Sequence, residues 1–276
     1  PELCSDWEAS HLSTWLLKLH NFFKQLFWLY HAMLKVEFHS HTNYIQDTET
    51  DYGPKELIDH AVRNGYDVLC ITEHYWPNSP IETYRRDPFR TYEDFRPYAE
   101  EKGILLIRAT EFFFKEGEVL LINFNGDLGD VRELKDLERL PESVLKIVPH
   151  PFFLTSNCLG DKFVENIGLF DAVEHSFFYR KHFNLNRKAI RIAKERGIPL
   201  VGTSDLHNLR WMGYNYTLVD ADKDPESIVR AVRGNKIKLV TQPLPWKVFL
   251  YATYFHSFKS PSKLLFKLIG EIRSRI

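Results

Sequence analysis

The sequence has few cysteines, no dominant charge and no long apolar run, and each of these absences excludes a class of protein. Three cysteines, Cys4, Cys70 and Cys158, are too few and too scattered for a disulfide framework or a thiolate zinc site. Their scarcity predicts a reducing compartment, the cytoplasm. The formal net charge of −1 indicates no general attraction to nucleic acid. The 276 residues suffice for one large domain with appendages.

Amphipathic segments are predicted at both ends of the chain. In residues 1–33, apolar residues recur every three or four positions, which predicts an amphipathic extension, and polar residues interrupt it too often for a transmembrane span. Residues 246–276 combine lysines and arginines with a helical apolar stripe, the pattern of a basic amphipathic tail. Such a tail either binds a membrane surface or a partner helix, or packs against its own domain. Residues 34–245 form the predicted main domain.

Strands and helices alternate through residues 34–241. Short apolar strands predicted at residues 34–38, 67–72, 104–110, 144–148, 170–174 and 198–202 are separated mostly by helices, which predicts a parallel sheet in an α/β fold. The carboxyl ends of parallel strands meet on one face of a closed barrel, so chemically active residues at these ends favour a barrel over an open sheet. Seven of the twelve histidines stand at or just beyond the ends of predicted strands: His39, His41, His74, His150, His175, His182 and His207.

The first predicted strand ends in the His-x-His pair His39 and His41. Alternating Leu34, Val36 and Phe38 predict a strand with one buried face, and residues two apart lie on the same face of a strand. Neutral imidazoles suit a shared transition metal. On its own the pair is weak evidence, because paired histidines on strands often only pack.

Further candidate ligands follow the later strands. Each has an ordinary explanation: His74 as a loop residue, Glu111 as a surface acid, Asp205 as a helix N-cap. These explanations would all have to hold independently, whereas one metal cluster accounts for every residue. The predicted constellation comprises His39, His41, His74, Glu111, His150, Asp205 and His207, with Asp47 and His175 as further members.

Six short stretches carry these residues in a fixed order: Phe38-His39-Ser40-His41-Thr42, Ile71-Thr72-Glu73-His74, Ala109-Thr110-Glu111, Pro149-His150-Pro151, Val173-Glu174 and Ser204-Asp205-Leu206-His207. In order and rough spacing they resemble the PHP (polymerase and histidinol phosphatase) superfamily of metal-dependent phosphoesterases. The second stretch departs from the superfamily, with Glu73 where an aspartate usually stands. The resemblance implies a distorted (β/α)7 TIM-like barrel with two or three divalent metals, Zn, Mn or Fe, at its carboxyl face.

The resemblance also implies a role for each residue. One metal would be held by four side chains, His39, His41, Glu111 and Asp205. Glu111 would bridge to a second metal, held also by His150 and a residue after the fifth strand, either His175 or His182. A third metal would be held by Asp47, His74 and His207, with Glu49 and Asp51 as alternatives to Asp47. Catalysis would rest on Glu111, Asp205 and His207.

The implied reaction is hydrolysis of a small phosphate ester, a phosphomonoester or a nucleotide-type substrate, by a metal-activated water at a di- or trinuclear site. The superfamily also includes histidinol-phosphatase-like and nucleic-acid phosphodiesterase activities, and the charge balance argues against long nucleic acid. An amidohydrolase-type barrel shares the His-x-His motif but needs a bridging lysine where this sequence offers Glu111. The non-enzymatic alternative is a metal-binding, membrane-surface-associated interaction protein. Retention of nearly all ligands favours activity.

Overall fold

The computed structural model describes residues 33–45, 50–153 and 157–255. The strands are β1 (Met33–Ser40), β2 (Val68–Ile71), β3 (His74–Tyr75), β4 (Leu105–Phe113), β5 (Glu118–Ile122), β6 (Leu145–Val148), β7 (Ala172–Ser176), β8 (Tyr179–Arg180), β9 (Phe183–Asn184), β10 (Leu200–Thr203), β11 (Asn215–Asp220) and β12 (Ile237–Thr241). The α-helices are α1 (Pro54–Arg63), α2 (Arg90–Glu101), α3 (Asp161–Glu165), α4 (Arg187–Arg196), α5 (Pro225–Arg233) and α6 (Trp246–Tyr254). Short 3-10 helices cover Glu82–Arg85, Leu128–Asp130, Leu134–Arg139, Ile167–Leu169 and Leu209–Trp211.

The main sheet curls into a nearly closed barrel. Its strands follow the order β10-β7-β6-β5-β4-β2-β1-β11-β12, and β3 pairs beside β4. β1, β2 and β4 are parallel, as are β6, β7 and β10, whereas β5, β11 and β12 run antiparallel to their neighbours. Side chains join β10 to β11: the N–H of Gly202 donates to Oγ1 of Thr217 at 2.9 Å, and Nδ2 of Asn215 donates to the carbonyl of Thr203 at 2.8 Å. The predicted α/β barrel is confirmed, and the antiparallel strands are what distort it.

Alternate residues of each strand face the barrel interior or the layer of helices outside. The interior hydrophobic cluster contains alternate residues along the strands, including Val36, Cys70, Ala109 and Ala172. Val173, the next residue after Ala172, belongs instead to an outer cluster beneath the helices. Fully burying an aliphatic side chain of this size stabilises the fold by about 1.5–3 kcal/mol, so the alternation fixes the register of every strand.

Local signals in the sequence account for the helix ends. α1 begins at Pro54, where proline is well tolerated, and the Glu56 carboxylate accepts a hydrogen bond from the N–H of Gly53 at 2.7 Å. α4 ends at Gly197, whose φ of 69° is the left-handed conformation that glycine adopts most readily. α5 begins after Asp224, which caps it by accepting a hydrogen bond from the N–H of Ser227 at 2.8 Å.

The last described helix packs onto the barrel. Ala252 in α6 and Phe255 just after it are buried, in a cluster with Trp211 and Met212. The predicted domain boundary at residue 245 stays a prediction, although a cut there would remove this packing. The predicted extension in residues 1–32 and the tail after residue 255 lie outside the described ranges. No helix within those ranges has the length and apolar character needed to cross a bilayer.

Candidate metal centre

Two buried histidines lie side by side at the end of β1. His39 and His41 are 0% and 1% exposed, and their ring centroids are 5.0 Å apart. The backbone holds both against the segment that follows β10. The N–H of Leu206 donates to the carbonyl of His39, and the N–H of His41 donates to the carbonyl of Leu206, each at 3.1 Å. The two imidazoles are therefore fixed beside the side chain of Asp205.

Two carboxylates meet these imidazoles. Glu111 lies in β4, and Asp205 lies two residues after the end of β10. Oε1 of Glu111 is 3.4 Å from Nε2 of His39, and Oδ1 of Asp205 is 3.5 Å from the Nε2 atoms of both His39 and His41. Four side chains from widely separated parts of the chain thus direct their ligand atoms at one point.

Several atoms at this point make no hydrogen bond within the described part of the chain. They are the Nε2 atoms of His39 and His41 and Oε1 of Glu111, all of them buried. A buried polar atom without a partner costs about 1–3 kcal/mol. Imidazole nitrogen and carboxylate oxygen are also the ligand atoms that Zn²⁺, Mn²⁺ and Fe²⁺ share in proteins. The residues present therefore fit a divalent metal, which would satisfy these atoms together.

The cluster continues on both sides of this point. Nε2 of His150, after β6, lies 3.8 Å from Oε1 of Glu111 and 3.9 Å from Oδ2 of Asp205. On the other side, Nε2 of His74 lies 2.9 Å from Oε2 of Glu111, and Nδ1 of His207 lies 3.2 Å from Oδ1 of Asp205. Three overlapping sets have ligand atoms within 4.8 Å of one another: His39–His41–Asp205, His39–Glu111–His150 and His41–His74–His207.

Two residues of the cluster have an unusual backbone conformation. His150 has a φ of 26° and Asp205 a φ of 41°. Among the described residues, the other non-glycine positions with positive φ are two asparagines, Asn123 and Asn235. Side chains with a Cβ rarely occupy this region, and such strain persists where the surrounding structure fixes the residue, often at functional sites. At these two positions it aims the side chain into the cluster.

Neighbouring side chains orient two of the imidazoles. Nδ1 of His39 lies 2.9 Å from Oε2 of Glu174, which is itself fully buried. Nδ1 of His150 lies 3.4 Å from Sγ of Cys158. Each contact engages one ring nitrogen and leaves Nε2 facing the cluster. Partners of this kind fix the tautomer and orientation of metal-binding histidines.

The buried charges set the ionisation of the cluster. Burial alone would raise the pKa of Glu111 and of Asp205, but the imidazole of His39 beside them holds the pKa of both carboxyls well below the ordinary value. Burial opposes the charge on His39, yet Glu111 and Asp205 keep its pKa well above the ordinary value. Burial and the neighbouring His207 lower the pKa of His41 well below it. The two carboxylates thus favour a positive charge beside them.

The structure brings together every predicted ligand except two. Asp47, with its alternative Glu49, lies outside the described residues. His175 is described but points away from the cluster. Ala172 faces the interior, so strand alternation turns Glu174 inward and His175 outward, where its ring packs edge-on against Tyr179 at 5.1 Å. We therefore remove His175 from the ligand set.

His182, the alternative to His175, is not part of the buried cluster either. One acidic residue of the cluster, Glu118, was not predicted from the sequence. His182 is exposed in the turn between β8 and β9. Glu118, at the start of β5, is buried and places Oε2 3.7 Å from Nε2 of His150. Burial, reinforced by the negative charge of Glu111, raises its pKa well above the ordinary value. The sequence places Glu118 on a strand that returns alongside the strand of Glu111. Whether its side chain faces the barrel interior depends on the register of that hairpin, which the sequence leaves open.

The fold and the clustered ligands define the class of protein, a distorted α/β barrel with side chains arranged to hold divalent metals. A family model described as PHP-associated matches residues 184–237. A search of curated proteins finds no significant match. Comparison with solved structures is more informative, because it covers most of the chain.

The chain is similar to a two-domain protein of Bacteroides vulgatus that contains a predicted PHP-like metal-dependent phosphoesterase, with 20% identity, a TM-score of 0.58, and coverage of 79% of this chain and 68% of that one. It is similar to PsfC from Pseudomonas syringae, with 14% identity, a TM-score of 0.55, and coverage of 82% and 98%. A looser match, at 14% identity and a TM-score of 0.49, covers 80% of this chain and 66% of a lesion-specific endonuclease from Pyrococcus furiosus. The first two matches show the fold. Together with the PHP-associated match they confirm the resemblance to the PHP superfamily.

Proposed function

We propose that the protein is a metal-dependent phosphoesterase that hydrolyses a small phosphate ester. The observation that carries the proposal is the position of Glu111 between two groups of histidines. Its Oε1 faces His39 and His150, at 3.4 and 3.8 Å, and its Oε2 faces His41 and His74, at 3.5 and 2.9 Å. Oε1 thus lies beside a proposed ligand of the first metal and one of the second, so Glu111 has the geometry of a ligand that two metals would share. An amidohydrolase-type site would need a lysine in this role.

Three metals would divide these ligands among them. The first would be held by His39, His41, Glu111 and Asp205. The second would be held by Glu111 and His150, and the third by His74 and His207, with Asp47 as its proposed carboxylate. Metals bound here would activate a water and neutralise charge on the phosphoryl oxygens.

The chain's own residues prepare this chemistry. Glu111 and Asp205 remain ionised at neutral pH and so supply negative charge between the cations. Glu174 holds Nδ1 of His39, which directs Nε2 at the first metal. His207 contacts Asp205 through Nδ1 at 3.2 Å, and Nε2 of His74 lies 2.9 Å from Oε2 of Glu111. We assign the catalytic roles to Glu111, Asp205 and His207.

Aromatic side chains beside the cluster support a substrate that carries a flat ring. Phe113 meets His74 edge-on at 5.3 Å, and Tyr84 lies 5.7 Å from the same imidazole. On the other side, Phe153 lies 6.0 Å from His150. All three aromatic residues are half-buried. Aromatic faces and edges of this kind bind planar groups by stacking and edge-to-face contact. These contacts support a nucleotide-type phosphoester as the proposed substrate.

The test is a substrate screen of the purified protein, reconstituted with Mn²⁺ or Zn²⁺. We expect phosphate release from nucleotides or other aromatic phosphomonoesters, and little from sugar phosphates without an aromatic ring.

Asp205→Asn should keep the fold and lose most of the turnover, since the cluster loses an anionic ligand. Asp136→Asn is the matched control, because Asp136 is also buried but lies in a 3-10 helix away from the cluster. Cleavage of dinucleotides alone would favour a phosphodiesterase, and equal turnover in wild type and Asp205→Asn would contradict the proposal.

A further inference from the structure

Glu118 faces the cluster from β5, on the same interior surface as Glu111. In the β4–β5 hairpin, Glu111 pairs with Leu120 and Phe113 pairs with Glu118. Paired residues point to the same face of a sheet, and residues two apart share that face, so Glu118 lies one step beyond Glu111 toward the carboxyl end of β4. Glu118 is 6% exposed.

His150 stands between these two carboxylates. Its Nε2 lies 3.8 Å from Oε1 of Glu111 and 3.7 Å from Oε2 of Glu118, while its Nδ1 is engaged by Cys158. Ligand atoms lie about 2.0–2.2 Å from such a metal, so two ligands of one ion are separated by about 3–4 Å. Both separations fall within that range. Each carboxylate therefore lies within reach of an ion that His150 would hold.

The charge of the buried carboxylates of Glu111 and Glu118, and the hydrogen bonding of Glu111, also favour a bound cation. Oε1 of Glu111 is buried and makes no hydrogen bond with any described residue. Within the described ranges, the only ion-pair partner of Glu118 closer than 4.0 Å is His150. Two buried carboxylates around one imidazole are costly unless a positive charge compensates them. A divalent ion supplies that charge and a partner for the unsatisfied oxygen.

The second metal otherwise lacks a ligand. The sequence suggested a histidine after the fifth predicted strand, but His175 faces outward and His182 is exposed. We propose that Glu118 completes the second metal site with Glu111 and His150, in place of a ligand from β7. This inference rests on the metal centre of the proposed function and adds a residue to it.

The experiment counts metals in the full chain after reconstitution with Zn²⁺ alone, and measures their affinity by competition with a chelator. Glu118→Gln keeps the shape of the side chain but offers a poor ligand. We expect it to bind one ion fewer per chain than wild type, or to hold its weakest ion at least tenfold less tightly. His150→Ala should weaken the same ion, and the double variant should lose little more. Asp136→Asn should keep the wild-type count.

The outcomes separate this inference from the proposed function. If wild type binds at least two ions and Glu118→Gln binds them equally well, Glu118 is only a buried acid and the inference is wrong, while the proposed function stands. If wild type binds no metal, the proposed function itself fails. Should Glu118→Gln not fold by circular dichroism, Glu118→Asp decides. It keeps the charge but withdraws the carboxylate by one methylene, and unchanged Zn²⁺ affinity in that variant would overturn the inference.

Discussion

The contact between Glu174 and His39 allows the sharpest prediction. Glu174 is fully buried in β7, and its Oε2 lies 2.9 Å from Nδ1 of His39. We expect its role to be indirect: it holds the imidazole so that Nε2 faces the first metal. Glu174→Gln keeps a hydrogen-bond acceptor of the same length without the charge, whereas Glu174→Ala removes the acceptor altogether.

The size of the effect follows from this geometry. Loss of an orienting partner to a metal-binding histidine costs about 10- to 100-fold in metal affinity. That range corresponds to about 1.4–2.8 kcal/mol of binding free energy. Glu174→Gln should lie near the lower limit and Glu174→Ala near the upper one. Glu174→Ala should also lower the free energy of unfolding by about 1–3 kcal/mol, because Nδ1 of His39 loses its buried partner.

The assay is Zn²⁺ affinity by chelator competition at fixed pH, with thermal unfolding measured on the same samples. Glu142→Gln is the control for the change of charge, because Glu142 is exposed. Glu174→Ala that unfolds earlier but binds Zn²⁺ as tightly as wild type would refute the positioning role. The carboxylate would then serve the fold alone.

Three further predictions concern pH and stability. Zn²⁺ affinity should fall as the pH drops, because protons compete with Zn²⁺ for His39. Glu111 and Asp205 raise the pKa of His39 well above the ordinary value, so the fall should begin above pH ~6.5, and an affinity that stays constant from there downward would contradict this. In Gly202→Ala, the new Cβ would lie 2.5 Å from a side chain of β12 and 2.8 Å from a carbonyl of β11, so we expect about 1–3 kcal/mol of destabilisation in thermal melts, unlike Gly168→Ala, where nothing lies within 4 Å. Phe255→Ala should destabilise the barrel by about 3–5 kcal/mol, since the ring is 2% exposed, whereas Leu250→Ala, at 60% exposure, should leave the melting temperature nearly unchanged.

The sequence was a good guide to the elements and to most of the cluster. Apolar runs that lead to His41, His74 or Glu111 located the strands and their carboxyl ends, because a buried strand needs a continuous apolar segment and the predicted ligands stand at or near its end. The convergence of these residues favoured a barrel, and the PHP resemblance implied its distorted (β/α)7 form. Each of these inferences depended on residues close together in sequence.

The features that the sequence did not predict depend on the register of the strands and on how the barrel closes. Both are decided by contacts between residues that are distant in sequence. Whether Glu174 or His175 faces inward is decided by packing of β7 between β6 and β10, and a shift of one residue would exchange them. Glu118 points at His150 only because the β4–β5 hairpin pairs it with Phe113. The antiparallel pairing of β11 with β1 likewise follows from how the barrel closes.

The most direct test of the account is a metal count on wild type and Glu111→Gln after reconstitution with Zn²⁺ or Mn²⁺, with phosphate release measured on the same samples. If Glu111 is shared between metals, wild type binds at least two ions per chain, and Glu111→Gln weakens more than one of them and abolishes turnover while circular dichroism shows the fold intact. Less than one bound ion per chain in wild type, or a full complement in Glu111→Gln, would contradict a shared metal centre.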